Sequence, residues 1–205
     1  MNYSLFANLK TLINLSTTFI LVVVPILLII AGDIHINPGP PNRFKFASWN
    51  LDSLLARSKC KLNYIKAIDT VHNFDLFGVC ETYLTPNVDD DQLYISGFSP
   101  SPIRSDCIDL DGKAKGGVCL YYKEHIPIKS RPDLVELEET VVAEIRVKHN
   151  RKVFVVLTYR SPSKSSKDEL EHFCSSLSSM IDKIKNENPL TIIVTGDFNG
   201  RSPTF

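Results

Sequence analysis

The sequence has no excess of charge of either sign. Its 23 basic and 23 acidic residues give a formal net charge of +0 at pH 7. A protein that binds nucleic acid mainly by releasing counterions from the phosphate backbone carries a strong basic excess. The charge balance therefore excludes that class of protein. It remains compatible with an enzyme that engages a phosphate group locally.

Paired cysteines are also missing. The five cysteines are odd in number and none stands in C-x-x-C spacing: Cys60, Cys80, Cys107, Cys119 and Cys174. This pattern indicates reduced, mostly buried thiols of an intracellular protein, ahead of a disulfide framework or a zinc site. Residues 113–117 precede a predicted strand but lack the Gly-Lys-Ser/Thr ending of a nucleotide-binding phosphate loop.

Charge is almost absent from the first 42 residues, which contain only Lys10 and Asp33. Residues 12–31 are nearly all apolar, and about twenty such residues can span a bilayer as a helix. The shorter apolar core from Phe19 to Ala31, with one basic residue upstream, equally resembles the central region of a signal peptide. We therefore predict an N-terminal hydrophobic helix, and membrane or translocon contact through residues 12–31. The transmembrane and signal-peptide interpretations both stay open.

Residues 43–205 have the pattern of one α/β domain, and a hydrophobic content of 43% allows a substantial core. Apolar residues at helical spacing predict helices over residues 62–71 and 170–184. Short apolar or alternating runs predict strands at residues 44–50, 75–80, 118–122, 140–148, 153–159 and 190–195. We predict an α/β fold with mixed β-sheets flanked by helices.

Polar residues follow four of the predicted buried strands. Open α/β sheets bind their ligands at the carboxyl ends of strands. Taken singly, each polar residue is as compatible with a cap or a turn as with a site. Together they favour a functional site, and its candidate residues are Asn50, Glu81, Tyr159, Arg160, Asp197 and Asn199.

The order of short motifs carries a resemblance. These are Ser48-Trp49-Asn50, Cys80-Glu81-Thr82, Gly116-Gly117-Val118, Thr158-Tyr159-Arg160-Ser161-Pro162 and Gly196-Asp197-Phe198-Asn199. The set resembles the endonuclease/exonuclease/phosphatase superfamily, and most of all the apurinic-endonuclease-like domains of non-LTR (LINE-type) retrotransposons. The resemblance implies a partial four-layer α/β sandwich, Mg²⁺ (or Mn²⁺) as cofactor and DNA as partner.

The same resemblance implies roles for individual residues. Glu81 would be the principal metal ligand, assisted by Asn50, with Asp197 as a further candidate. Tyr159, Asp197 and Asn199 would be catalytic: Tyr159 would donate to the phosphate or leaving group, Asp197 would orient or activate the nucleophile, and Asn199 would contact the phosphate. Arg160 is a candidate phosphate contact, with a surface salt bridge as the alternative.

One family motif is not in the sequence. The family pattern continues to a second Asp and a Ser-Asp-His, which these 205 residues do not contain. We therefore expect residues 43–205 to be the N-terminal portion of such a domain, incomplete and inactive alone. The predicted function is a retrotransposon-derived, Mg²⁺-dependent DNA endonuclease. The alternatives are a phosphatase or phosphodiesterase of the same superfamily with a non-DNA substrate, and a membrane-associated, non-enzymatic remnant.

Residues 33–40 carry a second resemblance. The segment Asp33-Ile34-His35-Ile36-Asn37-Pro38-Gly39-Pro40 is similar to 2A-like ribosome-skipping peptides, although His35 stands where that pattern prefers Glu. The resemblance implies separation between Gly39 and Pro40, and the alternative is a plain Pro/Gly-rich linker. Residues 1–42 are thus predicted to be a hydrophobic segment with this peptide and linker. Separation after Gly39 predicts a nuclear or cytoplasmic product, and retention predicts a membrane or secretory one.

Overall fold

The computed structural model describes residues 44–55, 61–164 and 166–199, and the backbone of three short N-terminal strands. Most of the apolar segment 12–31 and all of the 2A-like peptide at residues 33–40 lie outside the described residues, so the separation predicted at Gly39 and Pro40 stays a prediction. Where the apolar segment is described, its backbone is extended rather than helical: Thr18–Phe19 pairs with Ile30–Ala31. In the described part of the chain, no helix is long and apolar enough to cross a membrane.

The first sheet has four strands: β1 (Phe46–Asn50), β2 (Leu76–Cys80), β3 (Ile103–Ser105) and β4 (Val118–Tyr122). Their spatial order is β1-β2-β4-β3, with β1 and β2 parallel and the other pairs antiparallel. The parallel pair is joined through helix α1 (Leu62–His72), which ends where Asn73 takes a left-handed conformation. A parallel pair requires such a crossover, and this one places a helix on the face of the sheet.

The second sheet contains β5 (Ile128–Ser130), β6 (Thr140–Val147), β7 (Arg151–Tyr159) and β8 (Thr191–Asp197), in the order β8-β7-β6-β5. The short strand Leu21–Val22 pairs antiparallel with the outer side of β8. Strands β7 and β8 are parallel and joined through helix α2 (Lys167–Asn186). Ser166 and Glu169 form a capping box at the start of α2, which satisfies two of the free N–H groups there.

The two sheets pack face to face, with a helix outside each of them. Because side chains alternate along a strand, β2 directs Leu76 and Cys80 toward the second sheet, and Phe77 and Val79 toward α1. Strand β7 also alternates: it directs Val155 and Leu157 toward the first sheet, and residues 154 and 156 toward α2. The predicted α/β fold with mixed sheets flanked by helices is confirmed.

Helix α2 covers the second sheet mainly through two fully buried residues, Met180 and Ile184. Burying two such side chains contributes about 1.5–3 kcal/mol each. Phe173, Leu177 and Ile181 are half-buried against the same cluster. The helix is therefore held along its C-terminal half, which fixes the chain just before β8.

Candidate active site

The carboxyl ends of both parallel strand pairs lie at one edge of the sandwich. Asn50 is the last residue of β1, and its amide Nδ2 donates to Glu81 Oε1 at 2.8 Å and to Asp197 Oδ2 at 2.6 Å. Asn50 and Asp197 are 147 residues apart in the chain and come from different sheets. Asn50, Glu81 and Asp197, proposed from sequence as site residues, are therefore in direct contact.

Strand alternation explains why these side chains meet. Ser48 and Asn50 lie on the face of β1 that looks toward the second sheet, and Thr195 and Asp197 lie on the facing side of β8. The hydroxyl oxygens of Ser48 and Thr195 are 3.0 Å apart and join the two sheets one step below the Asn50–Asp197 bond. The site is thus built on the ends of regular strands, which holds its groups more precisely than loops alone would.

Tyr159 ends β7 at the same edge and is 5% exposed. Burial raises the pKa of its phenol, and the charge of Glu81 and a hydrogen bond with that carboxylate raise the pKa further. The phenol therefore stays protonated throughout the neutral range. Its single O–H donates to Glu81 here, so it becomes a donor to a neighbouring anion when a cation takes up that carboxylate.

The residue that follows β2 has an unusual backbone. Glu81 has a φ of 55°, in the left-handed region that costs a non-glycine residue about 1–2 kcal/mol. Hydrogen bonds on each side hold it there: Ser53 N donates to Glu81 O at 2.8 Å and Leu54 N donates to Thr82 O at 3.0 Å. Such conformations persist where the surrounding structure imposes them, and they cluster at functional sites.

The segment after β8 is tied closely to the site. Asn199 N donates to Asp197 Oδ1 at 3.0 Å, so each oxygen of this carboxylate accepts one hydrogen bond. The Asn199 amide donates to Arg160 O at 2.9 Å. Arg160 itself is 5% exposed, and its guanidinium donates to main-chain carbonyls. All six site residues proposed from the sequence therefore lie in one connected group.

Sequence reasoning missed Glu139, which belongs to the same region. The residue is 2% exposed, its φ is 50°, and its Oε1 accepts from Gly117 N at 3.1 Å. A Cβ added to Gly116 would lie 1.8 Å from that oxygen and 2.9 Å from the Tyr159 ring. The Gly116-Gly117 pair was the available sign that another group packs closely against this turn. Residues 136–139 gave no such sign, because they are rich in Glu, a composition typical of an exposed turn.

The electrostatic character of the edge is acidic. Burial raises the pKa of Tyr83, and the carboxylates of Glu81, Asp52 and Glu139 raise it further. Burial also raises the pKa of Glu139. Glu81 and Glu139 thus act on both Tyr83 and Tyr159, and Asp52 acts on Tyr83. An edge with several carboxylates attracts a cation.

The donor set fits a magnesium ion. Mg²⁺ prefers hard oxygen ligands, keeps several waters and is commonly bound through one or two carboxylates. Glu81 and Asp197, held together by Asn50, supply that set. No group of three or more His, Cys, Asp or Glu residues in the described ranges is arranged to hold a metal.

Two described histidines lie far from this edge. His125 Nε2 is 3.9 Å from Asp75 Oδ1, just before β2 begins. The carbonyl of His72 accepts from Lys45 Nζ at 3.0 Å, just before β1 begins. Both contacts are at the amino ends of the strands, opposite the ends that carry Asn50 and Glu81.

Three solved structures with a similar fold are each 16% identical in sequence to this chain. The AP endonuclease LMAP from Leishmania major has a TM-score of 0.59 over 75% of this chain and 54% of its own. A 3′ phosphatase, NExo from Neisseria, bound to a product DNA hairpin, has a TM-score of 0.54 over 77% and 58%. An endonuclease/exonuclease/phosphatase family protein from Leptotrichia buccalis has a TM-score of 0.51 over 77% and 67%.

The chain thus spans a little over half the length of the first two structures, with which it shares the fold. No curated protein matches the sequence. The family model described as Endonuclease/Exonuclease/phosphatase family matches residues 47–204, which include all six candidate site residues. The protein belongs to the endonuclease/exonuclease/phosphatase family.

Proposed function

We propose that this protein carries the site of a Mg²⁺-dependent phosphodiesterase that nicks DNA. The observation that carries the proposal is the contact of Asn50 with both Glu81 and Asp197, beside the protonated phenol of Tyr159. Membership of the family supports the reaction class. Two solved structures of similar fold support DNA as substrate, since one is named as an AP endonuclease and the other was bound to product DNA.

Glu81 would be the principal metal ligand, and Asn50 fixes the separation of the Glu81 and Asp197 carboxylates through its two hydrogen bonds. A bound divalent ion neutralises charge on the phosphate and polarises its oxygen. Without Asn50 the two carboxylates would repel each other when the metal is absent. The amide therefore preorganises the pair, which lowers the cost of binding the ion.

The remaining residues act on the phosphodiester itself. Tyr159 donates a hydrogen bond to the phosphate or to the leaving oxygen, where negative charge develops during the reaction. Asp197 orients the attacking nucleophile. Asn199 contacts the phosphate through the second hydrogen of its amide nitrogen, since the first is donated to Arg160 O.

We further propose that the chain derives from a non-LTR retrotransposon and is separated after Gly39 during translation. The order of the site motifs and the 2A-like segment at residues 33–40 support this origin. In that setting the enzyme would nick target DNA to expose a priming hydroxyl group. A translation reaction with a C-terminal tag checks the separation: a tagged product beginning at Pro40 supports it, and an unseparated, membrane-bound product contradicts it.

The nuclease proposal is tested by the nicking of supercoiled plasmid. Because the family's Ser-Asp-His motif is not within the 205 residues, the assay compares this chain with the same chain extended by a family segment that carries the motif. We expect Mg²⁺-dependent nicking by the extended protein and little turnover by the 205-residue chain. General acid–base groups contribute about 10²–10⁴-fold to the rate.

The variant Asp197→Ala should abolish nicking, whereas Asp182→Asn, on the exposed side of α2, should leave it unchanged. An extended protein that folds but shows no nicking in Mg²⁺ or Mn²⁺ would overturn the proposal. Hydrolysis of a small phosphate ester without DNA nicking would instead support a family member with a non-DNA substrate. Robust Mg²⁺-dependent turnover by the 205-residue chain alone would show that another group replaces the missing histidine.

A further inference from the structure

Arg160 directly follows Tyr159, yet its side chain is turned into the protein, and the residue as a whole is 5% exposed. Its Nε donates to Phe198 O at 2.7 Å. One terminal nitrogen donates to Lys164 O and the other to Asn199 O. Each nitrogen of the guanidinium is therefore used, and each of these three acceptors is a main-chain carbonyl.

Four hydrogen bonds connect Arg160 to the segment that carries Asp197 and Asn199. Two are the side-chain bonds to Phe198 O and Asn199 O. A third runs from Arg160 N to Asp197 O at 2.9 Å, and the fourth returns from the Asn199 amide to Arg160 O at 2.9 Å. The ends of β7 and β8 are thus locked together exactly where the site residues leave the sheet.

This arrangement has a cost that a surface arginine avoids. Burying a charge is unfavourable unless strong hydrogen bonds compensate for it. Hydrogen bonds to an ionised donor are roughly twice as strong as neutral ones, and the planar guanidinium presents its donors in a fixed fork. The fork meets three carbonyls that no regular secondary structure satisfies, and Asn199 is held at a left-handed φ of 42°. Lysine has no such fork, so it could not reproduce the arrangement.

We propose that Arg160 is a positioning residue, which sets the geometry of Asp197 and Asn199 rather than contacting the substrate. The inference rests on the proposed function, in which those two residues act on the phosphodiester. It replaces the interpretation of Arg160 as a phosphate contact, because a phosphate ligand must expose its guanidinium to the substrate.

The test uses Arg160→Met and Arg160→Lys, with Arg146→Met as the matched control. The Arg146 side chain is 58% exposed on β6 and pairs with Glu144 at 3.3 Å. Loss of a residue that orients metal or catalytic groups typically costs about 10–100-fold in affinity or activity. We expect both Arg160 variants of the 205-residue chain to bind Mg²⁺ about tenfold or more weakly by calorimetry. The control should bind as the parent does.

In the extended, nicking-competent protein, the Arg160 variants should lower kcat about 10–100-fold and leave the KM for DNA and its salt dependence unchanged. A phosphate contact would behave in the opposite way, because its loss raises KM and reduces the dependence of binding on salt. A raised KM with unchanged kcat would therefore overturn the proposal.

A third measurement needs no variant and no activity. In the parent 205-residue chain, the Nε–H of Arg160 should exchange slowly with solvent in NMR spectra, with and without a DNA oligonucleotide. Rapid exchange would overturn the positioning role. If the extended protein has no nuclease activity, the proposed function fails, while slow exchange would still show that Arg160 locks the two strand ends together.

Discussion

Replacement of Gly196 by alanine tests how the fold delivers Asp197 to the site. Gly196 lies in β8 directly before Asp197 and has a φ of 136°, a conformation that side chains rarely adopt. A Cβ there would lie 1.7 Å from the carbonyl oxygen of Thr158, the residue opposite Gly196 in the parallel ladder. The obstacle is backbone inside a sheet, so it cannot rotate away as a side chain would.

The magnitude follows from two contributions. A non-glycine residue in this region of φ costs about 1–3 kcal/mol. Forcing a methyl group into packed structure costs about 1–3 kcal/mol more. We therefore expect Gly196→Ala to lower the free energy of unfolding by about 2–6 kcal/mol, a large part of the roughly 5–15 kcal/mol that stabilises a typical domain.

Gly112→Ala is the matched control, because Gly112 also has a positive φ of 76° but a Cβ there would meet nothing within 4 Å. In this variant only the left-handed backbone conformation destabilises the folded state, by about 1–2 kcal/mol. Alanine also lowers the conformational entropy of the unfolded chain, which offsets part of that destabilisation. Comparing the two variants separates the effect of the Thr158 carbonyl from the effect of backbone conformation.

Urea unfolding followed by fluorescence provides the assay, since the single tryptophan, Trp49, is half-buried against the core in β1. With an m value of about 2 kcal/mol per M, a loss of about 4 kcal/mol lowers the midpoint by about 2 M. The Gly112 variant should lose about 0.5 M. Equal losses in the two variants would refute the argument, because the contact with Thr158 would then contribute nothing.

Three further predictions concern the site and the ion pairs. Glu81→Gln should weaken Mg²⁺ binding at least about tenfold by calorimetry. Its unfolding free energy should change by less than about 1 kcal/mol, because glutamine retains an oxygen that can accept from Asn50. The control is Glu171→Gln, at an exposed position, and equal Mg²⁺ affinities for the parent and Glu81→Gln would contradict the role of Glu81. Asn50→Asp should lower the melting temperature without Mg²⁺ and enlarge the rise on adding Mg²⁺, since three carboxylates repel until a cation binds; an unchanged response would contradict the proposed site. Hydrogen bonds from Arg131 at 2.8 Å and Lys152 at 2.6 Å hold the pKa of Glu187 at about 2, below its ordinary value of 4.5. Because the unfolded chain then binds more protons than the folded one, this stabilisation is complete above pH 4.5 and is lost as the pH falls toward 2. Acid titrations of stability should therefore be less steep for Glu187→Gln than for the parent, and identical slopes would argue against the pairing.

Much of the fold could be predicted from local pattern, because the spacing of apolar residues reports which face of a strand or helix is buried. The runs at 76–80, 153–159 and 191–195 are strands, and the helical spacing in 62–71 and 170–184 corresponds to α1 and α2. The polar residues at the strand ends also identified six members of the candidate site. Strand periodicity and strand ends are properties of neighbouring residues, so they are visible without the rest of the chain.

Tertiary structure decided what each of those polar residues contacts. Asn50 reaches Asp197 across 147 residues because two separate sheets pack face to face. Arg160 appeared suited to a phosphate, but the adjoining ends of β7 and β8 enclose it with carbonyls. Nothing in the local sequence singled out Glu139, yet the Gly116-Gly117 turn buries it beside Tyr159. Burial and partner choice depend on which distant segments approach, and a local sequence pattern carries no information about that approach.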